Sequence, residues 1–519
     1  TVTLEAEINP GEEINEIKLD NNVATVMATF QNKKPLCIEV VRVRTTVQTA
    51  SVSDPGFYDM VDWVEGAYPV PAVLIDVGGM IEEAGGPYEL TDDNDDTNKI
   101  LARLGWYRLW HDHYQWQKCG AAHFFGMVHP SAQSAGGIGY RPGWAAWGVT
   151  LDSPFSDEIG EAAPWYAPHG GATMAHEVGH NRGRKHVDCG DPDDTDDDYP
   201  YNPCDLSVGF PGSHWGFDYL DKAVISASAA GDLMSYSMGI NKPRWPSDYT
   251  YKAIFNDIPD GNLLNAASTD QLALANYATA AGAALAQNLL TADNILLVSV
   301  LLTPTANVAV FDQLSVVPSG TITNATLIDT AATTLVNPNG AYKVRLLGAA
   351  DMVLGEIQFD LPDSDGPPGY VQQGASFVLA MPYAEQTARV ALLHNDAEIA
   401  SRSASPNAPT VEVLEPNGGE SYAGSITVRW ESKEGDGDPL SYMVQYSHDK
   451  GATWRVLASE TFSTSITLTD TTHLPGTDGF SGLVRVFAND GLHTAIDVSD
   501  RPFSLRKQPP TANISNPKQ

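Results

Sequence analysis

The sequence predicts a multidomain protein in which an α+β domain, with a mixed sheet and one helix that carries paired histidines, precedes all-β sandwich domains. The chain has 519 residues, more than a single hydrophobic core usually supports. Beyond about residue 290, short apolar runs alternate with turn residues, a pattern typical of β-sandwiches. We therefore expect five segments, which are 1–33, 34–260, 261–404, 405–508 and 509–519.

The first segment has the alternating pattern of a β-hairpin, with polar and apolar residues exchanging along Glu12–Ile17 and again along Asn22–Phe30. Two arrangements fit this pattern equally well. The strands can close an Ig-like domain whose beginning is absent, or they can form a short hairpin that packs on the next domain.

The second segment begins with Cys37–Val43, a continuous apolar run that we expect to be a buried first strand. Large apolar side chains recur at helical spacing along Asp96–Lys118, so this stretch is predicted to be a helix with its aromatic stripe in the core. His111 and His113 lie two residues apart and cannot share a helix face, which argues against a metal site there. A closing helix is expected to start within Trp245–Lys252.

The third segment starts with an alanine-rich stretch, Thr269–Leu290, which is predicted to be a linker or packing helix. Short apolar runs then predict strands at Ile295–Pro304, Val308–Phe311, Ala341–Leu347, Val353–Phe359, Ser376–Ala380 and Arg389–Leu393. Ser401–Pro409 is rich in Ser, Pro and Asn and is expected to be a hinge.

The fourth segment is a candidate for seven strands and resembles a fibronectin type III or Ig-like module. Its clearest strands are predicted at Val411–Leu414, Ile426–Trp430, Tyr442–Ser447 and Leu483–Ala488. Trp430 and Tyr446 are expected to lie in the core and not to serve as sugar-stacking platforms. Residues 509–519 are expected to be a tail or the start of a further repeat.

The residues with the most specific chemistry are His176, Glu177, His180, Gly183 and His186. Residues four apart share a helix face, so His176 and His180 can both bind one zinc ion. Glu177 is then beside the metal without binding it and can act as the general base on a water molecule. Gly183 tolerates positive φ and lets the chain leave the helix and return His186 as the third ligand.

The full pattern HExxHxxGxxH, together with Gly231–Tyr236, resembles the metzincin clan of zinc peptidases, in which a methionine turn follows the ligands. The resemblance implies a metzincin-like catalytic domain with Met234 as the apolar floor beneath the zinc ligands. It implies hydrolysis of protein or peptide substrates by a zinc endopeptidase. Tyr236 matches a position that approaches the metal in some metzincins, either as an extra ligand or as a donor to the oxyanion.

Metzincins also hold an extended peptide against an edge strand that precedes the zinc helix. The resemblance places that strand at Gly137, Ile138 and Gly139 as substrate-binding residues. A glycine-rich turn is an equally good interpretation of these three residues.

The chain has four cysteines. Cys189 and Cys204 flank a loop rich in Asp, Gly and Pro, and we expect a disulfide between them that stabilises the fold by roughly 3 kcal/mol. Cys37 and Cys119 are expected to form a second pair. Disulfides indicate an oxidising, extracellular location, so the protein is predicted to be secreted.

The acidic run 191–198 offers enough carboxylates for a calcium site, but it lacks the spacing and glycine of an EF-hand loop. A solvated run of charges is therefore the favoured interpretation, with Ca²⁺ as the alternative.

The composition also restricts the partners. Sixty-five acidic and 30 basic residues give a formal net charge of -35, which argues against binding to nucleic acid or anionic membranes. The most apolar run, Leu289–Leu302, contains Asp293 and is too short to span a bilayer of ~30 Å. We expect a monomer without a membrane span.

Two other functions remain open from the sequence. One is a non-enzymatic adhesin or binding protein with a zinc-stabilised metzincin-like unit, although the presence of Glu177 argues against it. The other is a peptidase directed at glycoproteins or mucins, because fold does not fix the substrate. Every proposed catalytic residue precedes Asp260, so the later segments are expected to be dispensable for cleaving short peptides.

Overall fold

The computed structural model describes most of the chain. The described residues are 2–7, 23–50, 56–82, 87–90, 95–111, 119, 122–132, 136–149, 169–208, 214–219, 222–237, 242–260, 280–303, 308–323, 326–327, 330, 336–361, 363–365, 375–469 and 471–507.

The chain begins with two antiparallel strands, β1 (Val2–Glu7) and β2 (Val23–Ala28). The second matches the predicted arm at Asn22–Phe30. The pairing differs from the prediction, because the partner of β2 is Val2–Glu7, while Glu12–Ile17 lies outside the described residues. Local alternation identifies a strand but does not select its partner.

The described part of the next region contains a mixed sheet and four helices. Its strands are β3 (Leu36–Val43), β4 (Val73–Ile81), β5 (Ala122–Val128), β6 (Gly137–Arg141), β7 (Ala145–Val149), β8 (Gly216–Asp218), β9 (Ala223–Ile225), β10 (Gly231–Asp232) and β11 (Arg244–Trp245). Its helices are α1 (Gly56–Ala67), α2 (Asp95–Trp110), α3 (His169–Asn181) and α4 (Asp248–Asp257). The main sheet has the order β4–β3–β5–β7–β6, parallel except for the antiparallel β6. The predictions of a mixed sheet and of a buried first strand are confirmed.

The two faces of this sheet bury different layers. Alternate side chains of a strand point to opposite faces, and on β3 the side chains of Leu36, Ile38 and Val40 join the core formed with α1 and α3. Cys37, on the opposite face, joins the core that includes α2. Helix α2 ends at Trp110, earlier than predicted, and the residues from 112 to 118, including His113, lie outside the described part of the chain.

The third region contains α5 (Ala280–Thr291) and eight strands. These are β12 (Asn294–Thr303), β13 (Val308–Pro318), β14 (Tyr342–Leu347), β15 (Val353–Phe359), β16 (Asp363–Asp365), β17 (Ala375–Pro382), β18 (Arg389–His394) and β19 (Ala397–Ser403). They form sheets in the orders β13–β12–β17 and β15–β14–β18–β19. All six predicted strands are present, but β13 is longer than predicted, and β19 extends into the expected hinge at Ser401–Pro409.

Strand β16 does not join either of these sheets. It pairs antiparallel with β6, so the main sheet has the order β16–β6–β7–β5–β3–β4. The strand that was predicted to be a free edge is therefore partly covered by the chain itself.

The last described region has nine strands. These are β20 (Thr410–Glu415), β21 (Ser421–Tyr422), β22 (Ile426–Lys433), β23 (Ser441–Ser447), β24 (Arg455–Thr461), β25 (Ser465–Leu468), β26 (Leu483–Asn489), β27 (Thr494–Val498) and β28 (Ser504–Leu505). A three-stranded sheet, β20–β22–β25, and a four-stranded sheet, β24–β23–β26–β27, share one core. Trp430 and Tyr446 are buried in that core, as predicted.

One hydrophobic cluster extends across the predicted domains. It joins α2 side chains such as Leu104 and Trp106 to Val298 of β12, Leu379 of β17 and Phe487 of β26. None of the helices in the described ranges combines the length and apolar character that crossing a bilayer needs.

Candidate metal centre

Helix α3 presents the first two candidate ligands on one face. His176 and His180 are both buried, and their Nε2 atoms lie 3.1 Å apart. Four residues make slightly more than one helical turn, so the two rings stand one above the other, as the spacing predicts.

The third ligand arrives through a reversal at the end of the helix. Gly183 has φ +74°, a left-handed conformation that only glycine adopts without strain. The N–H of Gly183 donates to the carbonyl of His180 at 2.7 Å, and the N–H of Arg184 donates to the carbonyl of Gly179 at 3.0 Å. The chain then returns His186, whose Nε2 lies 3.1 Å from that of His180.

Each of the three imidazoles is oriented by a backbone carbonyl. The Nδ1 atom of His176 lies 2.8 Å from the carbonyl oxygen of Leu233, that of His180 lies 2.8 Å from Arg184, and that of His186 lies 2.9 Å from Asp193. A carbonyl can only accept, so Nδ1 carries the proton and Nε2 carries a lone pair.

Three lone pairs therefore converge on one point, where they repel one another unless a cation lies between them. In a tetrahedral zinc site with Zn–N bonds of about 2.0–2.1 Å, ligand nitrogens lie about 3.3 Å apart. The observed separations fit such an ion, and the three histidines form one group able to hold a metal. Burial lowers the pKa of His176 well below its usual value, and the close approach of the His180 imidazole disfavours a second proton further, so the neutral ligand form is favoured.

Glu177 lies beside this group, on the side facing β6. Its side chain is buried, and its Oε1 atom is 2.7 Å from the position that a Cβ on Gly137 would occupy. Any larger residue at position 137 would displace the strand or the carboxylate. Arg244 on β11 is close enough to interact electrostatically with Glu177 and Tyr236.

The turn at 231–236 packs against the helix that carries the first two candidate ligands. The sulfur of Met234 packs against α3 at Gly179, between the first two ligands in sequence. Asp232 holds this turn, since its carboxylate accepts hydrogen bonds from the N–H groups of Met234 and Ser247 and from the hydroxyl of Thr250. Sequence reasoning assigned no role to Asp232, although a buried acid two residues before the methionine is the pattern that could have revealed it.

Tyr236 also reaches the candidate ligands. The centre of its ring lies 4.6 Å from the ring of His186 and 5.7 Å from that of His176. Its backbone N–H donates to the carbonyl of Cys189 at 2.8 Å, which fixes this position relative to the loop that follows the third ligand.

That loop is closed by the predicted disulfide between Cys189 and Cys204, and Cys37 is bonded to Cys119. The acidic run has structural partners. Asp194 pairs with Arg141 and Lys185, and Tyr249 donates to Asp196. Across 191–198, all of which the structure describes, no three carboxylates converge as a calcium site needs. Burial opposes ionisation of Asp194, but hydrogen bonds from Lys185 and Arg141 outweigh it and hold its pKa below the usual range.

Asn181, the last residue of α3, connects the zinc helix to the predicted substrate strand. Its Nδ2 atom donates to the carbonyls of Tyr140 on β6 and Ala145 on β7, both at 2.9 Å. The predicted residues Gly137 and Gly139 face the helix, and the side chain of Ile138 is buried on the other face of the sheet. His111 is buried beside Glu39, 3.2 Å away, and is not part of the site.

Comparisons with known proteins point to the same segment. Residues 168–243 match the peptidase family M66, a match that contains all three histidines, Glu177 and the methionine turn. No curated protein matches the sequence significantly. One solved structure that matches, the endo-beta-1,4-mannanase from Thermotoga petrophila, is 14% identical with a TM-score of 0.15, and the match covers 20% of this chain and 21% of that chain. A TM-score of that size does not indicate a shared fold. The similarity to M66 supports a metallopeptidase function for the region around the three histidines.

Proposed function

We propose that this protein is a secreted zinc-dependent endopeptidase of the metzincin type. The observation that carries the proposal is the convergence of three Nε2 lone pairs, each fixed by a carbonyl at Nδ1, beside the buried carboxylate of Glu177. The M66 match over the same residues supports peptide hydrolysis as the reaction. Two disulfides support an extracellular location.

The roles of the residues follow from their positions. His176, His180 and His186 would hold zinc, which when bound supplies Lewis-acid chemistry that makes water acidic near neutral pH and polarises a carbonyl. Glu177 accepts the proton of the attacking water and passes it to the leaving amine. Tyr236 serves either as an additional ligand or as a hydrogen-bond donor to the developing oxyanion.

Glu177→Gln separates this enzyme from a binding protein that uses zinc only for stability. The variant keeps the size of the side chain but removes the base, so it should fold and bind zinc normally while kcat falls by about 10²–10⁴. Glu431→Gln, at an exposed position of β22, is the matched control and should cleave like the parent.

Zinc content, thermal unfolding and hydrolysis of a peptide library and of an O-glycosylated protein should be measured side by side. His180→Ala should lose both zinc and activity, because two nitrogens bind the ion weakly. Equal turnover by Glu177→Gln and the parent, or no cleavage by a zinc-loaded parent, would show that the protein is not a peptidase of this kind.

A further inference from the structure

The edge of β6 is already occupied over part of its length. Strand β16 pairs with it in antiparallel register, with Asp363 opposite Arg141, Ser364 opposite Tyr140 and Asp365 opposite Gly139. A strand has one row of hydrogen-bonding groups on each edge, and the other edge of β6 is paired with β7. A peptide therefore cannot pair with β6 wherever β16 does.

The occupied part is the end of β6 that is farther from the Glu177 carboxylate. Position 137 lies against the Glu177 carboxylate, while Gly139 lies against the carbonyl of Glu177 and the amide of Asn181. Among the residues that the structure describes, β16 pairs with three of the five residues of β6, and Gly137 and Ile138 are the two that it does not reach.

The direction of β16 decides which side of a substrate is affected. Because β16 is antiparallel to β6, it runs from Arg141 towards Gly139, and its C-terminal end points towards position 137 and Glu177. A peptide that pairs antiparallel with β6, the orientation that a metzincin-like cleft implies, would also run N to C towards the Glu177 carboxylate. Its N-terminal residues would need the positions that Asp363–Asp365 hold.

The ends of the connection that carries β16 are fixed in the fold. It leaves β15 at Phe359 and enters β17 at Ala375, and both residues are buried. Ser376 shares a buried hydrogen bond with the hydroxyl of Tyr140 on β6. Both strands that flank β16 in the sequence are therefore anchored in the core.

We propose that β16 closes the N-terminal part of the strand-pairing edge of β6, so that substrate residues beyond the first few before the scissile bond find no main-chain partner there and add nothing to kcat/KM. The inference rests on the proposed peptidase function. It makes β16 a specificity-determining element that is contributed by the sandwich region and not by the zinc-binding segment.

The test compares the parent with a variant carrying Ser364→Pro and Asp365→Pro. Successive N–H groups of a strand point to opposite edges, so one of these two must face β6, and proline removes it. Ala400→Pro with Ser401→Pro in β19, the outermost strand of the neighbouring four-stranded sheet, is the matched control. Thermal unfolding verifies that all three proteins fold.

The substrates are two series of peptides with the same cleavage site. In one series, one to five residues are added before the scissile bond, and in the other series they are added after it. For the parent and the control, kcat/KM should stop rising once more than about two residues precede the bond. In the β16 variant it should keep rising, by about tenfold on the longest peptide of that series, as expected for newly formed main-chain hydrogen bonds. The series extended after the bond should be unchanged.

The same length dependence in all three proteins would overturn the inference while leaving the peptidase function intact. An equal gain in kcat/KM on every peptide, including the shortest, would also overturn it, because β16 would then inhibit cleavage of all substrates and would not act on the residues before the bond alone. If a zinc-loaded parent cleaves none of the peptides, the proposed function itself fails, and the inference fails with it.

Discussion

At the candidate centre, His176, His180, His186 and Glu177 are the residues that would meet a metal ion and its water, and their neighbours hold them in place. The three histidines and Glu177 were evident from spacing alone. Their orientation depends on backbone carbonyls of Leu233, Arg184 and Asp193, which no sequence pattern marks. Such outer partners fix the tautomer of a ligand and commonly affect metal affinity by 10–100-fold.

At the level of single residues, we predict the effect of Asn181→Ala. The change removes the donor to two buried carbonyls, those of Tyr140 and Ala145, and each unsatisfied carbonyl costs about 1–3 kcal/mol. We expect a lower melting temperature and a lower kcat/KM with zinc content unchanged, because β6 loses its connection to α3. Asn407→Ala, an exposed asparagine that binds Asp436, is the control. An Asn181→Ala protein that melts and cleaves like this control would contradict the assigned role.

At the level of elements, α3 and the turn after it form the centre together. The helix places two candidate ligands on one face through its period, but the third candidate depends on a reversal that starts at Gly183. The turn that contains Met234 then holds the reversed segment in place. The carbonyl of Met234 accepts a hydrogen bond at 2.9 Å from the N–H of Val187, the residue after His186.

Gly183→Ala tests the reversal. An L-residue in the left-handed region costs about 1–2 kcal/mol, and relief of that strain would move His186 away from the other ligands. We expect the variant to bind zinc about tenfold more weakly if the protein relieves all of this strain by giving up His186 as a ligand. Competition with a chelator measures the change in zinc affinity. Gly320→Ala is the control, because that position has open space around it and no positive φ. Unchanged zinc affinity in the Gly183 variant would show that the turn tolerates a side chain.

For the molecule as a whole, the shared core changes the expectation for the later segments. Sequence reasoning treated everything after about residue 260 as dispensable for peptide cleavage. In the structure, α2 packs against β12, β17 and β24 as well as against its own sheet. Its Arg103 forms an ion pair with Glu460 at 2.9 Å, and both side chains are almost fully buried.

A chain ending at Asp260 should therefore fold poorly. It would expose the apolar face of α2. It would also lack Asp312 and Glu460, the acidic partners of Arg103, and removing one partner of a buried ion pair costs about 3–5 kcal/mol. We expect low soluble yield and loss of cooperative thermal unfolding. A chain ending at Lys507 keeps every described residue and should behave like the parent. A soluble, cooperatively folded protein ending at Asp260 with one zinc bound would restore the sequence-based expectation.

Local periodicity and residue chemistry were sufficient to predict the candidate metal ligands and the positions of many strands. The spacing of His176, His180 and His186 follows from the helical repeat and the conformational freedom of glycine. The apolar runs located ten strands of the sandwich regions, all except β13 to within a few residues, and left the others unpredicted. The pairing of strands and helices that are far apart in the sequence could be learned only from the tertiary structure. Local alternation marks a strand but leaves open which edge it joins. For that reason the pairing of β1 with β2, the placement of β16 on β6 and the burial of α2 between regions emerged only when the whole chain was packed.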